Sequence, residues 1–119
     1  MDTAIKVLLV DDSAFMRKVL KDILQGMGFS HFFEAENGVE ALATYRTEKP
    51  GLVLLDIIMP EKDGMEVLKE IGKEAKIVVI SAVGQEGMME EAKKMGALDY
   101  LTKPFDKGNV EKVLERVLA

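Results

Sequence analysis

Apolar residues in this chain fall into two kinds of run. Residues 5–10, 52–55 and 75–80 are short and mostly apolar throughout, the pattern of strands buried on both faces of a parallel sheet. Weaker runs at 31–35 and 98–102 predict two more strands. Between them the apolar positions recur at helical spacing. Phe15, Met16, Val19, Leu20, Ile23, Leu24 and Met27 mark the first helix, and Val110, Val113, Leu114 and Val117 the last.

The polar residues at the junctions set the helix ends. Asp12 or Ser13 can cap the first helix, and Gly28 closes it. Asn37 caps the second, with Glu40 at the reciprocal position of a capping box, and Lys49-Pro50 ends it. Asp63 caps a third helix through Met65, Val67, Leu68 and Ile71 that stops near Gly72. A fourth spans about 85–95 before Gly96, and a fifth about 106–118. Strand and helix alternate from end to end. That predicts a single α/β domain over residues 1–119, a doubly wound parallel sheet with helices on both faces.

Asp56 breaks the apolar pattern. It ends the run Gly51-Leu52-Val53-Leu54-Leu55 with no polar neighbour before it. An unpaired buried charge costs on the order of several kcal/mol, so something must compensate it. A turn set by Pro60 and closed by Asp63-Gly64 follows, which puts Asp56 on the rim of the sheet.

Composition narrows the choice of chemistry. A net charge of −5 argues against nucleic acid or an anionic membrane as the main partner. The absence of cysteine excludes a disulfide framework and a thiolate metal site, and fits a reducing cytoplasm. The first apolar run, at 7–10, is too short for a signal or membrane-spanning segment. The chain closes on the fifth helix, so the expectation is a monomer with no attached output domain.

Sheets of this kind bind ligands beyond the carboxyl ends of their strands. There the chain delivers Asp11 and Asp12 after the first strand, Asp56 after the third, Ser81 after the fourth and Lys103 after the fifth. Singly these read as a helix cap, a turn residue and a solvated lysine. Together they place three carboxylates, a hydroxyl and an ammonium on one edge. Converging carboxylates repel, and their pKa values rise as a coupled group unless a cation intervenes. Mg²⁺ suits the set, since it takes oxygen ligands and keeps positions open for a phosphate. A transition metal does not, because His31 is the only histidine. Phosphoryl transfer to Asp56 needs no general base, and Lys103 and Ser81 supply a charge and a hydrogen bond for the incoming oxygens.

These residues resemble the receiver domains of bacterial and archaeal two-component response regulators, in particular the single-domain, CheY-like chemotaxis group. The likeness rests on Asp11-Asp12, on Asp56-Ile57-Ile58-Met59-Pro60 with Gly64, on Ser81-Ala82 and on Lys103-Pro104-Phe105. Asp11 through Arg17 and Gly84-Gln85 carry the likeness to the chemotaxis group. The resemblance implies a flavodoxin-like (βα)₅ fold with strand order 2-1-3-4-5. It implies phosphorylation of Asp56 by a CheA-like sensor histidine kinase. One Mg²⁺ would be held by Asp11, Asp12, Asp56 and the Ile58 carbonyl. Ser81 and Tyr100 would be the switch pair, Lys103 the phosphate contact and Lys103-Pro104 a cis peptide. Apolar Ile58 and Val83 beside the phosphate imply slow self-dephosphorylation.

Output would then leave by contact with a motor switch or adaptor protein, and a phosphatase would end the signal. The expected surface is that of the fourth helix, fifth strand and fifth helix, with Met88, Met89, Met95, Lys93 and Lys94, and with Gly84 and Gly87 loosening the start of the helix. A stand-alone receiver in a phosphorelay is the alternative. A haloacid-dehalogenase-type hydrolase would need a D-x-D motif after the first strand, which Asp11-Asp12-Ser13 does not supply. A flavodoxin has no reason to gather carboxylates where an anionic cofactor sits.

Overall fold

A computed structural model describes residues 1–59, 63–82 and 86–119. Pro60, Val83, Gly84 and Gln85, which figure in the sequence reading, lie outside the described residues. Five parallel strands, β1 (Lys6–Val10), β2 (His31–Ala35), β3 (Leu52–Asp56), β4 (Ile77–Ala82) and β5 (Asp99–Lys103), lie in the order β2-β1-β3-β4-β5. The helices α1 (Ala14–Gly26), α2 (Gly38–Glu48), α3 (Gly64–Ile71), α4 (Glu86–Lys94) and α5 (Lys107–Val117) alternate with them. No helix among the described residues is long and apolar enough to cross a membrane.

Alternation along β3 divides the core in two. Leu52 and Leu54 pack with Leu20 and Leu24 of α1 and with Val110, Val113 and Leu114 of α5. Val53 and Leu55 pack with Ala41, Leu42 and Tyr45 of α2, Val67, Leu68 and Ile71 of α3, and Met89 and Ala92 of α4. Every side chain of β3 is buried, Asp56 included. Each fully buried Leu or Val contributes roughly 1.5–3 kcal/mol of transfer free energy, so the strand that carries Asp56 is held on both sides.

The helix starts follow from their caps. Ser13 Oγ accepts from the Met16 N–H at 3.2 Å, which leaves Asp12 free of that task. Asn37 Oδ1 accepts from the Glu40 N–H at 2.8 Å. The expected reciprocal bond is displaced, because the Glu40 carboxylate takes the Glu36 N–H at 3.1 Å. A full capping box stands instead at α5, where Asp106 and Asn109 each accept the other's N–H at 2.8 and 3.0 Å. Lys49 leaves α2 in the left-handed region before Pro50.

Three expectations need correction. β4 starts two residues later than the apolar run and continues through Ser81 and Ala82, which pair in register with Thr102 and Lys103 of β5. Ser81 is therefore a strand residue. Phe15 carries the right helical spacing but is 74% exposed on the first turn of α1. Met89 is buried in the core and not displayed on α4, while Met88 and Met95 are half-buried against that same core. α4 turns its methionine face inward because the sheet offers apolar surface there and water does not.

Gly72 and Gly96 close the ends of α3 and α4 against each other. A Cβ on Gly96 would collide with the Gly72 carbonyl, and one on Gly72 with the Met95 carbonyl. Gly96 also has φ +116°, a region that side chains rarely adopt.

Candidate functional site

Register brings the candidate residues to one edge. Val10 pairs with Leu55, so Asp11 and Asp56 are the next residues side by side across β1 and β3. Asp56 pairs with Ile80, which places Ser81 one step beyond it on β4, and Ala82 pairs with Lys103 on β5. Lys103 then reaches back across the sheet. Its Nζ lies 3.4 Å from Asp56 Oδ2 and 3.5 Å from Asp11 Oδ2. The ammonium bridges the two buried carboxylates.

The remaining oxygens are held by backbone. Asp11 Oδ1 accepts the Ser13 N–H at 2.9 Å, and Asp56 Oδ1 accepts the Ile58 N–H at 3.2 Å. The Asp11 carbonyl accepts from Arg17 Nη1 at 2.6 Å, while Arg17 Nε donates to Glu34 at 2.8 Å. Arg17 thus ties the loop after β1 to the end of β2. On the other side Gly64 donates its N–H to the Ile57 carbonyl at 2.9 Å. A Cβ there would meet the Asp56 carbonyl and Ile57 Cα, so only glycine lets α3 start this close to the site.

Asp11, Asp12 and Asp56 each offer an oxygen within 4.8 Å of the other two. Asp11 and Asp56 are buried and Asp12 is exposed. The Asp56 carboxyl is pushed up to about 6, first by burial and then by the negative charge of Asp11, against the pull of Lys103 and the Ile58 N–H. Burial works to lower the Lys103 ammonium, but Asp56 and Asp11 together raise it. One ammonium shared between two carboxylates leaves an excess of negative charge in this cleft. These three carboxylates come close enough together that they could hold a single small cation. The donor set is all oxygen, which favours a hard cation.

Ser81 is buried, and its hydroxyl donates to Met89 Sδ at 3.0 Å. Sequence reading missed that partner, which lies across the β4–α4 connection. Tyr100, half-buried on β5, carries the Lys93 ammonium 4.9 Å above its ring. Ile58 is half-exposed beside Asp56, and the Lys103–Pro104 peptide is cis. Val83 lies outside the described residues.

The model of the response regulator receiver domain matches residues 7–115. Chemotaxis protein CheY of Thermotoga maritima is 48% identical over 115 residues, covering 94% of this chain and 96% of that protein. Chemotaxis protein CheY of Halobacterium salinarum is 47% identical over 116 residues, covering 95% and 96%. Among solved structures, NtrX from Brucella abortus superposes with a TM-score of 0.89 at 34% identity. That match covers 97% of this chain and 27% of the longer NtrX chain. The chain belongs to the response regulator receiver domain family.

Proposed function

We propose that this chain is a phosphorylation-activated response regulator of the chemotaxis type, with Asp56 as its phosphoacceptor. The observation that carries the reading is the position of Asp56: at the rim of the sheet, flanked by two more carboxylates and faced by one ammonium. Its burial keeps the carboxylate poorly solvated, which favours attack. An Asp56 oxygen bonds to phosphorus as the nitrogen–phosphorus bond of a phosphohistidine breaks, and the donor imidazole leaves with the electron pair. The chain catalyses only its own phosphorylation and slow dephosphorylation, so it is a switch and not an enzyme acting on substrates.

Asp11, Asp12 and Asp56, with the Ile58 carbonyl, are the groups that would hold one Mg²⁺. When bound, that ion neutralises phosphoryl oxygens. Lys103 supports the reading from the other side, because its ammonium can leave Asp11 for a phosphoryl oxygen while staying close to Asp56. Ser81 supplies a hydroxyl for a third oxygen, and Tyr100 follows as α4 and β5 readjust.

The donor in this reading is a CheA-like sensor histidine kinase in the cytoplasm, with a phosphatase ending the signal. The output surface is α4-β5-α5. A shallow cleft of about 350 Å³ beside Tyr100, lined by Thr102, Pro104, Asn109, Lys112 and Arg116, gives a partner a foothold there. Affinity capture with and without Mg²⁺ and beryllofluoride, a phosphoryl mimic, tests the output. Mimic-dependent retention of a motor switch or adaptor protein supports the chemotaxis reading. Phosphoryl exchange with a histidine phosphotransfer protein, and no motor component, supports the relay alternative.

A further inference from the structure

The hydrogen bond from Ser81 Oγ to Met89 Sδ, 3.0 Å long, joins the edge of the site to the middle of α4. Both residues are buried, Ser81 at 1% and Met89 at 7% exposure. A serine hydroxyl has one proton to donate. While that proton points at sulfur it cannot point at an oxygen on Asp56. We infer that Met89 is a positioning residue for the switch: its thioether holds the Ser81 hydroxyl in the unphosphorylated state and gives it up when a phosphoryl group arrives. This inference rests on the reading of Asp56 as phosphoacceptor.

A thioether suits the task because it is a weak acceptor. A carbonyl or carboxylate at the same place would compete with a phosphoryl oxygen for the proton. A purely apolar side chain would leave a buried hydroxyl unpaired and penalise the resting state. Sulfur satisfies the hydroxyl at rest, and its own loss of the bond is cheap because it tolerates apolar surroundings. The release is felt by α4, since Met89 and Ala92 pack in the same core as Val79 of β4. The far end of α4 is fixed where Gly96 meets Gly72, with no room for a Cβ on either residue. Loss of the Ser81 contact therefore frees the part of α4 nearest the site while its C-terminal end stays anchored.

The test uses the full chain with methyl-labelled methionine, Mg²⁺ and beryllofluoride. Met89→Leu, a nearly volume-conserving change, identifies the Met89 methyl resonance among the eight methionines. Ser81→Ala shifts that resonance in metal-free protein, and beryllofluoride with Mg²⁺ moves the wild-type resonance in the same direction. Met89→Leu tightens beryllofluoride binding by roughly tenfold, because the resting state has lost its acceptor. In the Ser81→Ala background the same substitution has no effect on affinity.

An unchanged Met89 resonance on Ser81→Ala would overturn the inference whatever Asp56 does. So would equal tightening by Met89→Leu with and without the Ser81 hydroxyl, which marks a packing effect only. Failure of the wild type to bind beryllofluoride, or equal binding by Asp56→Asn, would overturn the phosphoacceptor reading and this inference with it.

Discussion

Lys103 Nζ stands 3.4 Å from Asp56 Oδ2 and is shared with Asp11 at 3.5 Å. The sequence poses the question of what compensates a carboxylate at the end of an apolar strand, and this ammonium is the answer that the structure gives. It is a partial one, since Asp56 remains raised to about 6.

Lys103→Met removes the shared cation and leaves two buried carboxylates facing each other. The expected outcome is a further rise of the Asp56 pKa above about 6 and a loss of roughly 1–3 kcal/mol of stability at neutral pH, discounted for the partial exposure of Lys103. Carboxyl-carbon NMR titration and denaturant unfolding check both. An unchanged Asp56 titration would show that the ammonium does not act on it.

Asp56→Asn separates burial from charge. The folded pKa of about 6 lies above the ordinary value of 3.8, so between those values the folded state binds more protons than the unfolded one. Stability therefore falls as pH rises through that window, and the penalty is complete above it. The variant is expected to be more stable than the wild type by about 2–3 kcal/mol above pH 7, with the difference vanishing near pH 4. Urea unfolding in metal-free buffer across pH 4–8 measures it. A variant less stable at high pH would mean that the carboxylate is favourably housed.

Gly96→Ala forces a Cβ into the Gly72 carbonyl and strains a backbone at φ +116°. A loss of roughly 2–4 kcal/mol is expected. Gly87→Ala, with nothing within 4 Å of the added carbon, is expected to be neutral or slightly stabilising. Thermal unfolding of the pair distinguishes a tight anchor at the end of α4 from a merely glycine-rich helix.

Ile58 is half-exposed beside Asp56, and its apolar side chain offers nothing to orient an attacking water. Ile58→Asn is expected to speed decay of the acyl phosphate several-fold without changing the fold. Single-turnover phosphate release checks this. Equal or slower decay in the variant would remove Ile58 from the control of timing.

The fold was legible because β1, β3 and β4 are buried on both faces and so read as mostly apolar runs, and because Ser13, Asn37 and Asp63 cap the helices that follow β1, β2 and β3. The site was legible because register converts strand ends into neighbours, as Val10 opposite Leu55 does for Asp11 and Asp56. Other features depend on where a helix settles. Periodicity counts Phe15 as apolar but cannot say that it stands exposed on the first turn of α1. The contact between Ser81 and Met89 requires knowing which face of α4 lies on the sheet. Ser81 and Ala82 carry little strand signal of their own, and β5 recruits them by pairing.

Mg²⁺ titration followed by beryllofluoride, read by NMR of Tyr100 in the wild type, Asp12→Ala and Asp56→Asn, tests most directly whether the rim carboxylates form a cation-dependent phosphoacceptor. The predicted result is a Mg²⁺-dependent change in the wild type that beryllofluoride extends. Metal binding should be lost in Asp12→Ala, with its metal-free fold at least as stable, and the beryllofluoride step should be absent in Asp56→Asn. No Mg²⁺-dependent change in the wild type, or the same beryllofluoride response in Asp56→Asn, would contradict it.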